Sequence, residues 1–179
     1  MMSKLLLSSD WHLGHNNIHK YRTQFSSAEE HHNTVFENMA TAVGKRDTLV
    51  LLGDIAFDRD WLYKIQEIHC KKKILVLGNH CTEKCHIMDI VNVFDQVHGL
   101  WSKKSCWFSH CPIHPQEMRK RKANIHGHLH PHLVMNKWYD SQGNHWRDVE
   151  DTKYFNVCLE HTDYKPVWFE DIKERFNDT

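Results

Sequence analysis

Leu5-Leu6-Leu7-Ser8-Ser9-Asp10-Trp11-His12 decides how this chain is read. Three consecutive apolar residues ended by polar ones read as a buried strand running into a loop. That loop opens on a carboxylate and an imidazole. The same pattern recurs. Leu49-Val50-Leu51-Leu52 runs into Gly53-Asp54, and Ile74-Leu75-Val76-Leu77 into Gly78-Asn79-His80. Cys106-Trp107-Phe108 runs into Ser109-His110, and Ala123-Asn124-Ile125 into Gly127-His128-Leu129-His130. An ordinary turn explains any one of these alone. Five in succession, at one edge of a sheet, would gather Asp, Asn and His side chains at one spot. That is the chemistry of a two-metal site for splitting phosphate esters.

The residue types suit the task. Divalent ions in such sites take carboxylate oxygen and neutral imidazole nitrogen. Asp10 and His12 are two apart and, on an extended chain, face the same side, as do His128 and His130. Asp54, just past a buried strand, has two carboxylate oxygens with which to bridge two ions. Asn79 offers a neutral carbonyl oxygen and so limits the negative charge.

Composition bounds the rest. The chain has 179 residues, enough for one domain with a real core, expected here over residues 1–179. Lys plus Arg equals Asp plus Glu, so bulk charge gives no argument for a nucleic-acid or membrane partner. No segment has the apolar length of a membrane span, and the N-terminus lacks a long apolar leader region. The six cysteines form no CxxC pair. Together these point to a reduced, cytoplasmic protein with free thiols.

The first half alternates strand and helix. Strands are expected over Leu5–Ser9, Thr48–Leu52 and Ile74–Leu77. A helix starting at a Ser26/Glu29 capping box carries Val35, Phe36, Met39, Ala40 and Val43 on one face and stops near Gly44. Further helices are expected over Asp60–Ile68 and, capped by Thr82, over Glu83–Val91. From Phe94 onward short strands dominate: Phe94–Val97, Cys106–Ser109, Ala123–His126, Tyr154–Leu159 and Lys165–Trp168. Ser141-Gln142-Gly143-Asn144 reads as a hairpin turn, and a helix closes the chain near Glu170–Phe176. The pattern suggests an α/β fold, a four-layer α-β-β-α sandwich of two mixed sheets face to face with helices outside.

The ordered motifs DxH, GD, GNH, H and GHxH, from Asp10 to His130, resemble the calcineurin-like metallophosphoesterase superfamily. Ser9-Asp10-Trp11-His12-Leu13-Gly14-His15 and the tail from Phe155 to Val167 are similar to a small bacterial and phage branch of predicted phosphoesterases. The resemblance implies that Asp10, His12, Asp54 and His130 hold one metal, and Asp54, Asn79, His110 and His128 a second, with Asp54 bridging. It implies hydrolysis by in-line attack of a hydroxide held between the ions, with His80 at the leaving-group oxygen. Asp54 and His80 are thus the expected catalytic residues. Asn79, Arg59 and His15 are the candidates for touching substrate. Mn²⁺ is the favoured metal for this mixed N/O set, with Mg²⁺, Fe, Ni²⁺ and Zn²⁺ also open. The expected partner is a phosphate ester, with nucleotides and nucleic acids among the options. A phosphodiesterase is the first reading and a phosphomonoesterase or nucleotidase the second. A non-catalytic binding module is the third; the retromer subunit of this fold is one, and it lacks the histidine corresponding to His80.

The chain departs from the family pattern in two places. An acid usually follows GNH, but here it is Cys81, a position expected to support the loop. Asp58 is the candidate acid for orienting His80, but it lies one residue further along than in the family's GDxxDR form. Cys81, Cys85 and His86 more often mean packing than zinc. Arg119-Lys120-Arg121-Lys122, expected on a loop flanking the site, reads first as a solvated run and second as an attractor of polyanions. Lys71-Lys72-Lys73 reads as a polar strand entry, and His114 and His132 stay unassigned.

Overall fold

A computed structural model describes residues 4–176. Its order begins β1 (Leu5–Ser8), α1 (Ala28–Ala42), β2 (Thr48–Leu51), α2 (Arg59–Lys64), β3 (Lys72–Val76), α3 (Cys81–Lys84) and α4 (Ile87–Val93). It continues β4 (Gln96–His98), β5 (Trp101–Lys103), β6 (Cys106–Phe108), β7 (Ala123–His126), β8 (Met135–Tyr139) and β9 (His145–Glu150). It ends β10 (Tyr154–Asn156), β11 (Val167–Trp168) and α5 (Phe169–Ile172).

Two mixed sheets form. The first has the order β11-β1-β2-β3-β4, parallel except for β11. The second has the order β10-β7-β6-β5, parallel except for β5. The first sheet is buried on both faces, which is why its strands read as unbroken apolar runs. Leu5, Leu7, Val50, Leu52, Ile74 and Val76 face the second sheet's Cys106, Phe108, Ala123 and Ile125. Leu6, Leu49, Leu51 and Leu75 face the other way, onto Val35 and Met39 of α1, Leu62 of α2 and Ile90 of α4. Each fully buried side chain of this kind contributes about 1.5–3 kcal/mol. Helices therefore cover the first sheet. On the second the covering is slight: Trp107 reaches a 3₁₀ turn at Pro115–Met118, donating from Nε1 to the Glu117 carbonyl at 3.1 Å.

Parallel pairing has a consequence for function. It puts the C-terminal ends of β1, β2 and β3 at one edge, and those of β6, β7 and β10 at one edge of the second sheet. A bridge between Ser9 and Cys158 joins the two sheets there.

Several boundaries moved from expectation. The N-cap of α1 is Ser27, whose Oγ accepts from Glu30 N at 3.1 Å, while Glu30 reaches back to Ser26 N at 2.7 Å. The capping box is thus one residue later, because paired serines and paired glutamates permit either register. Helix α1 ends by an extended Val43, with φ −88° and ψ 130°, and Gly44 takes no left-handed turn. The expected helix over Glu83–Val91 is two, α3 and α4. Between them Cys85 turns its thiol to the Asp58 carbonyl at 3.4 Å, and His86 caps α4 by accepting from Met88 N at 3.2 Å.

Candidate metal centre

The seven expected ligands sit at that shared edge, and the main chain gets them there in an unexpected way. Asp10 (φ 57°), His12 (φ 51°), Asp54 (φ 52°), His128 (φ 70°) and His130 (φ 49°) are all left-handed. Alternation along an extended strand, expected from their spacing, is not what turns them inward. Each loop makes a tight αL turn instead, a conformation in which Asp and His are enriched. Hydrogen bonds pin the turns: Asp10 N donates to Gly53 O at 3.1 Å and His12 N to Asp54 O at 3.0 Å. Gly53, at φ 89°, has no room for a side chain, since a Cβ would run into the His110 ring and the Gly78 backbone.

One donor set is Asp10, His12 and His130, whose ligand atoms lie within 4.8 Å of one another. Asp10 Oδ2 is fully used, accepting from Ser9 Oγ at 2.5 Å, His128 N at 2.9 Å and Cys158 Sγ at 3.1 Å. Asp10 Oδ1 and His12 Nε2, by contrast, are buried without a hydrogen-bond partner. Buried orphan lone pairs of this kind are costly unless something positive meets them. Burial would raise the Asp10 acid, but the neighbouring His12, His110 and Ser9 bring it well below the usual carboxylate range. Burial holds His12 below its ordinary value, hence neutral, as a ligand must be.

The second set centres on His110. Its Nδ1 donates to Leu52 O at 2.7 Å, which turns Nε2 inward. Around Nε2 lie Asn79 Oδ1 at 2.9 Å, Asp54 Oδ2 at 3.1 Å and His128 Nδ1 at 3.2 Å. These are lone pairs facing lone pairs. A shared proton satisfies one such contact; a divalent cation satisfies all of them. Burial would lower the His110 acid, but the Asp54 and Asp10 carboxylates raise it. Asp54 lies where the sets meet, grouped within 4.8 Å with Asp10 and His110. Both sets fit divalent metal.

A second ring of residues fixes the ligands, and the sequence reading missed most of it. His130 Nδ1 is held by Glu160 Oε1 at 3.1 Å, an arrangement that orients a ligating imidazole. Buried Arg22 donates to Glu160 Oε1 at 2.9 Å, Asp10 O at 2.7 Å and Trp11 O at 3.4 Å. The signal for Glu160 was present, since it ends the apolar run from Val157 to Leu159 as the other site residues end theirs. Arg22 carried no such mark. Cys81 supports the loop, as expected: its Sγ accepts from Gly78 N at 3.2 Å and Asp54 N at 3.3 Å. Burial pushes that thiol up to about 11.

His80 stands at the rim with its side chain 38% exposed, and its ring lies 6.5 Å from that of His12. Glu83, not Asp58, holds its Nδ1, at 2.8 Å. Asp58 is spent capping α2, accepting from Trp61 N at 2.8 Å. His15 lines a cavity of about 560 Å³ beside His12 and His130. Arg59, expected near phosphate, is instead paired with Asp89 at 3.1 Å and lies over Tyr63. It caught a nearer partner across α2 and α4. The basic run also falls elsewhere. Lys122 N bonds Ser105 O and Arg121 covers Trp107, so the run sits at the start of β7, the edge opposite the ligands. Cys81, Cys85 and His86 turn to three different partners and make no zinc site.

Two packed mixed sheets carrying Asp, Asn and His donors past their strand ends are the architecture of a metal-dependent phosphoesterase. The family model for calcineurin-like phosphoesterases matches residues 3–179, and the chain belongs to that family. That family is one of phosphoric ester hydrolases. Among its relatives, the Gene 66 protein of Mycobacterium phage L5 is 34% identical over 83 residues, 44% of this chain and 40% of that protein's length. An uncharacterized protein of Methanocaldococcus jannaschii is 27% identical over 173 residues, covering 93% of this chain and 87% of that one. A protein of unknown function from Aquifex aeolicus has a similar fold, with a TM-score of 0.68 at 22% identity, over 96% of this chain and 98% of that one. Among the described residues, no helix is long and apolar enough to cross a membrane.

Proposed function

We propose that this protein, acting as one domain over residues 1–179, hydrolyses phosphodiesters with two divalent ions. The supporting observation is the meeting of the two donor sets at Asp54, with Asp10, His12 and His130 on one side and Asn79, His110 and His128 on the other. A pair of divalent ions supplies Lewis acidity toward the phosphoryl oxygens and a water nucleophile at neutral pH. The chain's own residues do the rest. Asn79 is exposed beside His110 and touches substrate phosphate. His80, anchored through Nδ1 by Glu83, presents Nε2 and moves a proton to the leaving oxygen. Arg22 and Glu160 hold the His130 ring still.

Access favours a diester. The rim residues Asn79 and His80 lie open, and the cavity beside His12, His15 and His130 is large enough at about 560 Å³ for the second ester arm. A nucleotide or nucleic-acid end fits that description. The N/O donors of the Asp10 set suit Mn²⁺. With six free thiols, the protein is assigned to the cytoplasm.

The test is hydrolysis of a chromogenic diester beside the matching monoester, with chelator and with added Mn²⁺. Metal-dependent turnover favouring the diester is expected. Faster monoester turnover would make it a phosphomonoesterase or nucleotidase. Metal-independent turnover, or none, would refute the assignment. Asp54→Asn should be the most damaging ligand change and should lower the metal content found by elemental analysis.

A further inference from the structure

Cys111 follows His110 directly and differs from the other five cysteines, being the one exposed to solvent. Its Sγ, a ring nitrogen of His110 and a ring nitrogen of His128 all lie within 4.8 Å of one another. Donors in a tetrahedral zinc shell, with metal–S near 2.3 Å and metal–N near 2.1 Å, stand roughly 3.5 Å apart. Since no two of these atoms are more than 4.8 Å apart, closing to that value takes at most about an ångström of side-chain movement.

The loop carrying Cys111 is built to hold a position. Ser109 Oγ donates to the Cys111 carbonyl at 2.6 Å and accepts from Asn124 Nδ2 at 2.9 Å. Fully buried Asn124 also accepts from Ile113 N at 2.9 Å, so one amide pins both ends of the turn around Cys111 and Pro112. His128 is fixed in turn by its backbone N–H on Asp10.

We propose that Cys111 supplies a sulfur ligand to the ion held by His110 and His128, so that the two metal positions differ in kind. The inference rests on the metal-dependent reading above. The thiol proton leaves to solvent as the sulfur–metal bond forms. A thiolate beside imidazoles selects a softer ion such as Zn²⁺, whereas the Asp10, His12 and His130 position offers only oxygen and nitrogen and suits Mn²⁺ or Mg²⁺. The centre is therefore a mixed one, with zinc next to Asn79.

Cobalt substitution of the full chain tests this. After chelator treatment, Co²⁺ binding is read from its visible d–d bands, and sulfur ligation from a near-ultraviolet thiolate-to-cobalt charge-transfer band. Both are expected in wild type, and only the d–d bands in Cys111→Ser and Cys111→Ala. Zn²⁺ affinity of those variants should fall at least roughly tenfold, with Mn²⁺ affinity little changed. Zn²⁺ should also slow alkylation of Cys111 by iodoacetamide, read on its peptide by mass spectrometry. Wild type with d–d bands but no charge-transfer band would overturn the proposal while leaving a metallohydrolase. A charge-transfer band surviving in Cys111→Ser would overturn it too. No cobalt bands at all would overturn the metal reading itself.

Discussion

Replacing Arg22 by leucine should lower stability by about 3–5 kcal/mol, the typical result of removing one member of a buried ion pair. The guanidinium is 3% exposed and is held by Glu160, two backbone carbonyls and His31. Leucine fills part of that space but leaves the Glu160 carboxylate with His130 alone. The Glu160 acid gives an independent gauge. Burial would raise it, yet His130 and Arg22 together bring it from 4.5 down to about 2. At about 1.36 kcal/mol per pH unit that is about 3 kcal/mol, shared between the two partners. The Glu160 side chain is only 19% exposed, so solvent screening takes little away. Because the folded acid is depressed, this stabilisation is complete above the ordinary carboxylate value and is lost as pH falls toward 2. Urea unfolding of the metal-free proteins should therefore show the full difference at neutral pH and a smaller one at about pH 3. Metal affinity should fall roughly 10–100-fold, since the Glu160 carboxylate that orients His130 loses its own anchor. A neutral-pH difference under about 1 kcal/mol, the value of a surface pair, would refute the argument.

Three further outcomes are expected. His80→Ala should keep its metal but lose about 10²–10⁴-fold in kcat on an alkoxide leaving group and much less on nitrophenolate, with Glu83→Gln following the same trend more weakly; equal losses on both leaving groups would make His80 a phosphate-positioning residue. Cys81→Ala strips an acceptor from one buried and one part-buried backbone N–H group and should lower thermal stability by about 1–3 kcal/mol, with Cys81→Asp regaining part of it; an unchanged melting point for Cys81→Ala would remove that support role. Burial, with Arg22 nearby, holds His31 down to about 3, and burial holds His32 down to about 4, so below about pH 6.5 the unfolded chain takes up protons that the folded pair refuses. Stability should fall with pH there by at most about 1.4 kcal/mol per histidine per pH unit, and His31→Gln should flatten the slope of chemical-denaturation free energy against pH.

The site was legible where chemistry and strand ends coincide in sequence. A doubly buried parallel strand must be apolar throughout and must stop at the edge, so the residue after Leu52 or Leu77 marks that edge. The residues that steady the ligands were not legible, because their contacts are set by tertiary approach: Arg22 meets Glu160 across 138 positions. Asp58 and Glu83 show the limit of local reading. Asp58 is drawn into capping α2, and Glu83, three residues beyond His80, is the one that reaches the imidazole. Edge strand β5 escaped notice because its three residues, Trp101–Lys103, two half-exposed and one exposed, carry no periodicity. The basic run was misplaced for a topological reason: a connection between parallel strands must return to the opposite edge before the next strand starts.

The left-handed torsions of the ligand residues bear on which ions enter. A non-glycine residue held at positive φ costs of order 1 kcal/mol or more, so five of them weigh on the scale of a domain's whole net stability. Folding alone meets that cost, so the main chain that carries the donors is set before any ion arrives. On the metal-dependent function proposed above, such a preset main chain would disfavour Ca²⁺, which wants a loose shell of six to eight oxygens at about 2.3–2.6 Å, relative to ions that accept a smaller, fixed span. Under the proposed function, metal choice would be set by main-chain torsions imposed by the sheets as much as by the atoms that touch the ion.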